Sequence, residues 1–525
     1  MAEHPLDRSG SPQDPCLNQR AGNSLDGPID PAAVGVAADR NSDRQPRSTR
    51  RLLLPGKICW RRERADRVAL LIDCADYFAA VKVALEQARR SILIVGWSFD
   101  PRTRLTPAAS SLHEPSTIGG VLRAVKARRP ELEIRLLIWD MVWPLSASRE
   151  FTPERIRLEL GSAIHYVLDS SLPFGACQHQ KIVVIDDRLA FCGGSDFETN
   201  RWDTAAHRDV EPCRRLPSGQ CYPARHDVMM LVDGAAARAL GDLARERWRH
   251  ATGESLEPLE QDNSASFWPE ALRPTLADTE IGIARTLPTI AGQAPVRESE
   301  ALYLAAIAAA CEIVYLESQY FTSRSIAEAL AARLREPSGP EIVVVGSEHS
   351  PNLFDRATMD TARRVLLAEL ERADRYGRLH VCAPYTEGGK PILVHSKVAV
   401  FDDWLLRVGS CNLNNRSFGY DSECDLAIEA TPDQAHMRGV IRRIRNGLLG
   451  HHAGRSAEDF ESAIRISGSI VAVLEDPDLV SPLRLRSLLP SRFGWLERLI
   501  AGWHIGDPAS VEDAWRPWRR CEAKP

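Results

Sequence analysis

Apolar residues along this chain fall into short blocks that alternate between two periods. Over Asp73 to Arg90 they recur at helical spacing (Tyr77, Val81, Ala84, Leu85, Ala88), and Ser91 to Trp97 is then a solid run that predicts a buried strand. Ile118 to Ala127 predicts a helix and Leu132 to Trp139 a strand; His226 to Val232 and Ala235 to Arg249 repeat that pairing. The pattern then restarts. Helices are expected at Glu298–Ala310, Ser325–Arg335, Thr358–Ala373 and Gln434–Leu449, with strands at Ile313–Glu317, Glu341–Gly346, Leu379–Ala383 and Asp425–Glu429. This alternation predicts an α/β protein of two similar lobes, each a mixed sheet flanked by helices.

The predicted organisation is a disordered tail over 1–51, rich in Pro, Gly, Ser, Asp and Arg, then a first lobe over 52–255. A polar linker over 256–280 leads to a second lobe over 281–455 and an extension over 456–525. In the extension, Phe493, Leu496, Leu499, Ile500 and Trp503 share one helical side. Two readings stay open for it: packing on the second lobe, or an amphipathic helix with Arg484, Arg486 and Arg492 toward lipid head groups.

One stretch occurs twice. His179, Lys181 and Asp186 stand at the same relative positions as His395, Lys397 and Asp402, and each copy runs on to Gly193-Gly194 or Gly409-Ser410. The separation of His179 from His395 nearly equals that of Ile92 from Ile313, so a whole half is duplicated. Lys181 to Ile185 and Val398 to Phe401 read as short strands, and side chains two apart on a strand share a face. Each imidazole is thereby placed beside an ammonium, a pairing suited to phosphate. A core histidine explains either copy alone; it does not explain two copies with matched Lys and Gly. His165, His207, His226 and His451-His452 lack that support and are expected to be structural.

Composition narrows the picture. The 525 residues suffice for two cores, and the net charge of −5 disfavours a basic nucleic-acid binder. No signal-peptide pattern is evident, and the longest apolar run, Ala301 to Cys311, is too short to cross a bilayer. A cytoplasmic protein, at most peripheral on a membrane, is expected. The twelve cysteines include no CxxC pair and read as reduced, with Cys213–Cys221 the one pairing considered. No metal cluster is evident, and neither metal nor cofactor is expected.

Two imidazoles brought together by pseudo-symmetry can divide a displacement at phosphorus. One attacks, while the other protonates the leaving oxygen and then activates water or an alcohol. The lysines would hold the transition-state charge. Each imidazole needs an orienting acceptor: Glu423 in the second half, with Asp203 and Asp209 the candidates in the first.

At this point the chain resembles the phospholipase D superfamily, whose signature is a duplicated H-x-K-x4-D. The stretch from His179 through Gly194 and Asp196, with Arg201-Trp202-Asp203, His207-Arg208 and Leu316 to Phe321, is similar to the eukaryotic-type form; His395 to Ser417 is similar to the wider family. The resemblance implies a site on a pseudo-twofold axis, with His179 as nucleophile and His395 as acid/base. It implies phosphate binding by Lys181, Lys397 and Asn412, with Ser410 and Gly194 at the matching motif positions, and structural roles for Asp186 and Asp402. Gly194 and Asp196 depart from the common Ser and Asn. The implied substrate is a glycerophospholipid such as phosphatidylcholine at a membrane surface. The net charge argues for no nucleic-acid partner, and a monomer is the working expectation for an oligomeric state that the sequence does not fix. A cardiolipin synthase-like transferase and a nuclease are the alternatives. Trp139, Trp143, Tyr320 and Phe321 are candidates to line an acyl site.

Overall fold

The computed structural model describes residues 51–107, 116–141, 152–260, 268–290, 293–489, 497, 502–504 and 506–515. The expected tail up to residue 50, Trp143 and the apolar positions 493, 496, 499 and 500 lie outside the described residues.

The first half contains strands β1 (Arg61–Ile72), β2 (Ser91–Gly96), β3 (Glu133–Trp139), β4 (His165–Asp169), β5 (Ile182–Ile185), β6 (Leu189–Gly193), β7 (Arg225–His226) and β8 (Val228–Asp233). The second contains β9 (Leu276–Leu287), β10 (Val296–Arg297), β11 (Ile313–Glu317), β12 (Glu341–Val345), β13 (Leu379–Pro384), β14 (Leu393–Val394), β15 (Val398–Phe401), β16 (Leu405–Gly409) and β17 (Glu423–Glu429), and β18 (Leu485–Ser487) follows. Sixteen of these form one sheet, in the order β18-β13-β12-β11-β15-β16-β17-β9-β1-β8-β6-β5-β2-β3-β4, with β10 beside β9. Read outward from the antiparallel β1–β9 pair, both halves have the same strand sequence: β8-β6-β5-β2-β3-β4 on one side, β17-β16-β15-β11-β12-β13 on the other. The duplication expected from the motifs is thus a duplication of topology.

Helices cover both faces. In chain order they include α1 (Asp73–Gln87), α2 (Ile118–Arg128), α3 (Pro153–Leu160), α4 (Gly234–Thr252), α5 (Glu298–Ala309), α6 (Arg324–Arg335), the short α7 (Leu353–Asp355), α8 (Thr361–Ala373), α9 (Ala435–Ala453), α10 (Ala457–Ser467) and α11 (Ile470–Glu475). α1, α2 and α3 pack one apolar core on the first half, and α5, α6 and α8 build its counterpart on the second. α4, α9 and α11 cover a third core that runs across both halves. The fold therefore has no hydrophobic break between its repeats.

Two expectations are corrected. β9 begins inside the stretch expected to be linker, and β1 lies where no strand is expected. Both strands carry polar residues along much of their length, yet they sit at the sheet centre because each finds a paired edge on both sides. Of the two readings of the extension, β18 fits packing on the second lobe: it pairs antiparallel with β13, although as strand and not helix over Leu485–Ser487. Cys213 and Cys221 form no disulfide with one another.

The hairpins β5–β6 and β15–β16 are fixed by the motif aspartates. Asp186, Asp187 and Asp402 adopt φ values of 53°, 54° and 52°, in the left-handed region that Asp tolerates better than most residues. The Asp186 carboxylate accepts the N–H groups of Arg89, Arg90 and Ser91 at 2.7–2.8 Å. Asp402 accepts those of Cys311, Glu312 and Ile313 at 2.7–2.9 Å, and the Trp404 indole N–H at 3.0 Å. Each Asp ties a hairpin turn to the start of the neighbouring strand, β2 or β11, and satisfies three backbone donors that would otherwise be left unpaired.

Candidate active site

Both motif histidines sit just ahead of a hairpin, and each is gripped by the other half of the molecule. The His179 N–H donates to the Ser422 carbonyl at 3.0 Å, and the His395 N–H to the His226 carbonyl at 2.8 Å. The next residue along in each case is an acid. Glu423 opens β17 and places both carboxylate oxygens 2.9–3.0 Å from His179 Nδ1; Asp227, just before β8, places Oδ2 2.8 Å from His395 Nδ1. The imidazole–carboxylate pairs are crossed: each half supplies the orienting acid for the other half's histidine. Parallel pairing of β7 with β14, and a single bridge between Gln178 and Ser422, hold the crossing in register.

Asp227 therefore replaces Asp203 and Asp209, the acids expected to orient a histidine in the first half. Asp203 is consumed by His207 Nδ1, Arg214 and the Arg225 N–H. Asp209 accepts from Thr386 Oγ1 and the Gly388 N–H on the second half. The usable signal for Asp227 was its position: like Glu423, it stands at the mouth of the strand that pairs with the motif hairpin.

The motif glycine and serine have a different task from phosphate binding. The Gly194 N–H donates to the Val228 carbonyl, and a Cβ at Gly194 would collide with Asp227 Oδ1, so glycine is what admits the acid. Ser410 donates its N–H to the Cys424 carbonyl and its hydroxyl to Glu423 Oε2 at 2.5 Å. Asn412 is buried, and its Oδ1, an acceptor, has no hydrogen-bond partner; a phosphoryl oxygen would be met by its Nδ2–H instead.

Positive charge surrounds the imidazoles. Lys181 and Lys397 are buried, each donating to the carbonyl of its own motif histidine. Lys181 also meets Asp196 Oδ2 at 3.1 Å, where the second copy has Asn412. Arg201 and Arg225, which sequence reasoning did not place here, are buried and add positive charge near His395. Burial first, then the neighbouring lysines, holds both imidazoles well below the ordinary histidine value; at His395 the two arginines contribute as well. Burial pushes Glu423 up to about 8 and Asp227 up to about 6. Lys181, Lys397, Arg201 and Arg225, set against the acids Asp196, Asp227 and Glu423, gather positive charge of the kind that suits an anionic ligand.

Of the candidate lining residues, Trp139 is buried and stacks on Trp97 at 5.9 Å, and Tyr320 donates its hydroxyl to Asp355 at 2.7 Å. Phe321 is buried in the second-half core. Folding also gathers Asp73, His207, His226 and His451 from four separate segments, a grouping with no signature in the sequence.

Residues 303–445 match the family described as "Cardiolipin synthase, PLD-like domain". The chain is 24% identical to phospholipase D A of Dictyostelium discoideum over 69% of its own length, but spans only 32% of that protein. It is 25% identical to cardiolipin synthase A of Pseudomonas putida, over 77% of this chain and 70% of that one. Its fold resembles the crystal structure of phosphatidylserine synthase from Haemophilus influenzae, with a TM-score of 0.52 at 12% identity, covering 78% of this chain and 97% of that one. The matched domain and these relatives support a place for the chain in the phospholipase D superfamily.

Proposed function

We propose that the chain is a phosphodiesterase of the phospholipase D type. It would hydrolyse the head group of a glycerophospholipid such as phosphatidylcholine to give phosphatidic acid, and transfer the phosphatidyl group to alcohols as a side reaction. The observation that carries this reading is the crossed pair of imidazole–carboxylate contacts among buried cations. With Nδ1 held by a carboxylate, Nε2 is the nitrogen each ring offers to the substrate.

In this reading His179 Nε2 attacks phosphorus, the bond from phosphorus to the head-group oxygen breaks, and His395 Nε2 gives that oxygen its proton. His395 then takes a proton from water or an alcohol, whose oxygen displaces His179. Lys181, Lys397 and Asn412 hold the phosphoryl oxygens. The two pairs therefore need different proton counts: one proton on His179–Glu423, two on His395–Asp227. Exposed apolar side chains fit a lipid substrate. Phe174 lies on the loop leading to His179, and Leu353 and Phe354 lie beside the Asp355 that holds Tyr320.

The test offers phosphatidylcholine vesicles together with a short primary alcohol. Phosphatidic acid and the phosphatidyl-alcohol are expected. If neither forms while another phosphodiester is cleaved, the lipid reading fails. The length of the match to cardiolipin synthase A favours one second reading, joining two phosphatidylglycerols; cardiolipin formed from phosphatidylglycerol vesicles alone would establish it.

A further inference from the structure

Behind His395 lies a buried cluster that the proposed chemistry does not use. Asp73 is the first residue of α1, His207 lies on the loop after β6, His226 on β7, and His451 near the end of α9. Asp73, His207 and His226 are buried, and the His451 side chain is 12% exposed. One donor atom from each lies within 4.8 Å of the others.

The geometry is that of convergent ligands. Asp73 Oδ2 is 3.6 Å from His207 Nε2 and 3.7 Å from His451 Nε2, and the two ring nitrogens are 2.9 Å apart. An ion roughly 2.0–2.2 Å from each of three donors accommodates separations of about that size. Asp73 Oδ2 is fully buried yet has no hydrogen-bond partner, while Oδ1 is engaged by His226 Nδ1 at 2.9 Å and by the Asp227 N–H. An unpartnered buried carboxylate oxygen aimed at two imidazole nitrogens is a setting that a cation would stabilise. Behind His207, Asp203 Oδ2 stands 3.0 Å from Nδ1, the carboxylate–histidine support that metal-bound imidazoles use.

We propose that Asp73, His207 and His451 bind a divalent transition-metal ion of the zinc class, with His226 as a support that holds Asp73 Oδ1 through Nδ1 and Glu317 through Nε2. Two imidazoles and a carboxylate, with a position left for water, form a donor set that zinc accepts. The ion would displace the proton between His207 and His451, and binding would release protons. Two donors come from the first half and His451 from the second, so the ion is a clasp between the repeats. It would also steady the acid that orients His395, since the Asp73 N–H donates to the Asp227 carbonyl at 2.7 Å and Asp73 Oδ1 accepts the Asp227 N–H.

The experiment uses the full chain. Metal content is measured by elemental analysis after dialysis against metal-free buffer, and again after refilling with Zn2+ and dialysing. About one equivalent per chain is expected, with a higher Tm in the filled form and a lower one after chelation. Refilling with Co2+ should give the visible absorption of a low-coordinate site. Asp203→Asn, which keeps every ligand, should weaken Zn2+ binding about 10–100-fold. His451→Gln should abolish it, and His165→Gln, at an exposed position, should leave it unchanged. If the folded wild-type chain retains no metal after refilling and its Tm does not respond to Zn2+ or chelator, the proposal is wrong and the cluster is a hydrogen-bonded network only.

Discussion

The two halves of the site are built to one plan and finished differently. His179 meets both oxygens of Glu423, which also receives the Ser410 hydroxyl; His395 meets one oxygen of Asp227, which is flanked by Gly194 and capped by the Val228 N–H at 2.9 Å. The His179 side chain is 17% exposed and that of His395 is 10%. Two buried arginines, Arg201 and Arg225, add charge at His395, and the histidine cluster lies on that side. A symmetric scaffold thus carries two unequal imidazole–carboxylate pairs. In the proposed two-step displacement that inequality matters, because its two imidazoles must begin in different protonation states.

The comparison can be broken at several points. Replacing His179 with Ala should lower kcat by about 10³-fold or more in the alcohol-trapping assay, with the fold intact by circular dichroism. Residual activity within a few-fold of wild type would remove His179 from the chemistry. Exchanging the orienting acids for amides, Glu423→Gln or Asp227→Asn, should cost roughly 10²-fold each in kcat with little change in KM, because each amide loses the charge that sets ring tautomer and basicity.

The motif aspartates should separate from the histidines in what they affect. Asp402→Ala strands three backbone N–H groups and the Trp404 indole N–H; at about 1–3 kcal/mol for each buried donor left unpaired, several kcal/mol of stability should be lost in urea titrations. Activity per folded molecule should change little by comparison. A loss of activity without loss of stability would place Asp402 in the chemistry instead.

The smallest effect is a shift in pH dependence. His179 is competent to attack when its pair carries one proton, so activity should rise with pH as Glu423, pushed up to about 8 by burial, gives up its proton. The Ser410 hydroxyl stabilises the Glu423 carboxylate and lowers that value. Ser410→Gly, the residue found at the matching position of the first half, should therefore move the acid limb of kcat/KM to higher pH. A limb that stays put, or moves down, would show that Glu423 does not set it.

Much of this was legible in the chain. The His, Lys and Asp positions, the hairpins they precede and the doubled topology all follow from spacing and apolar runs, because a buried strand of four or five residues has few other readings. Glu423 was found because it closes a short loop after Ser410. Asp227 was not, since the loop from Gly194 through Ala224 is far longer than its counterpart and carries Asp203 and Asp209 as decoys. β1 and β9 were missed because Arg61, Arg62, Arg64 and Arg67 on one, and Asp278 and Glu280 on the other, disguise central strands as surface. The Asp73, His207, His226 and His451 cluster could not be read at all: its members share no spacing and meet only through the fold.

The central claim is that one histidine of the pair attacks phosphorus and the other manages the proton. It is tested most directly by acid-sparing quench of the His395→Asn variant with phosphatidylcholine, followed by peptide mass spectrometry. The account predicts a phosphatidyl adduct on His179 that accumulates because its release is slowed. An adduct on another residue, or turnover with no adduct at His179 in either the variant or the wild type, would contradict it.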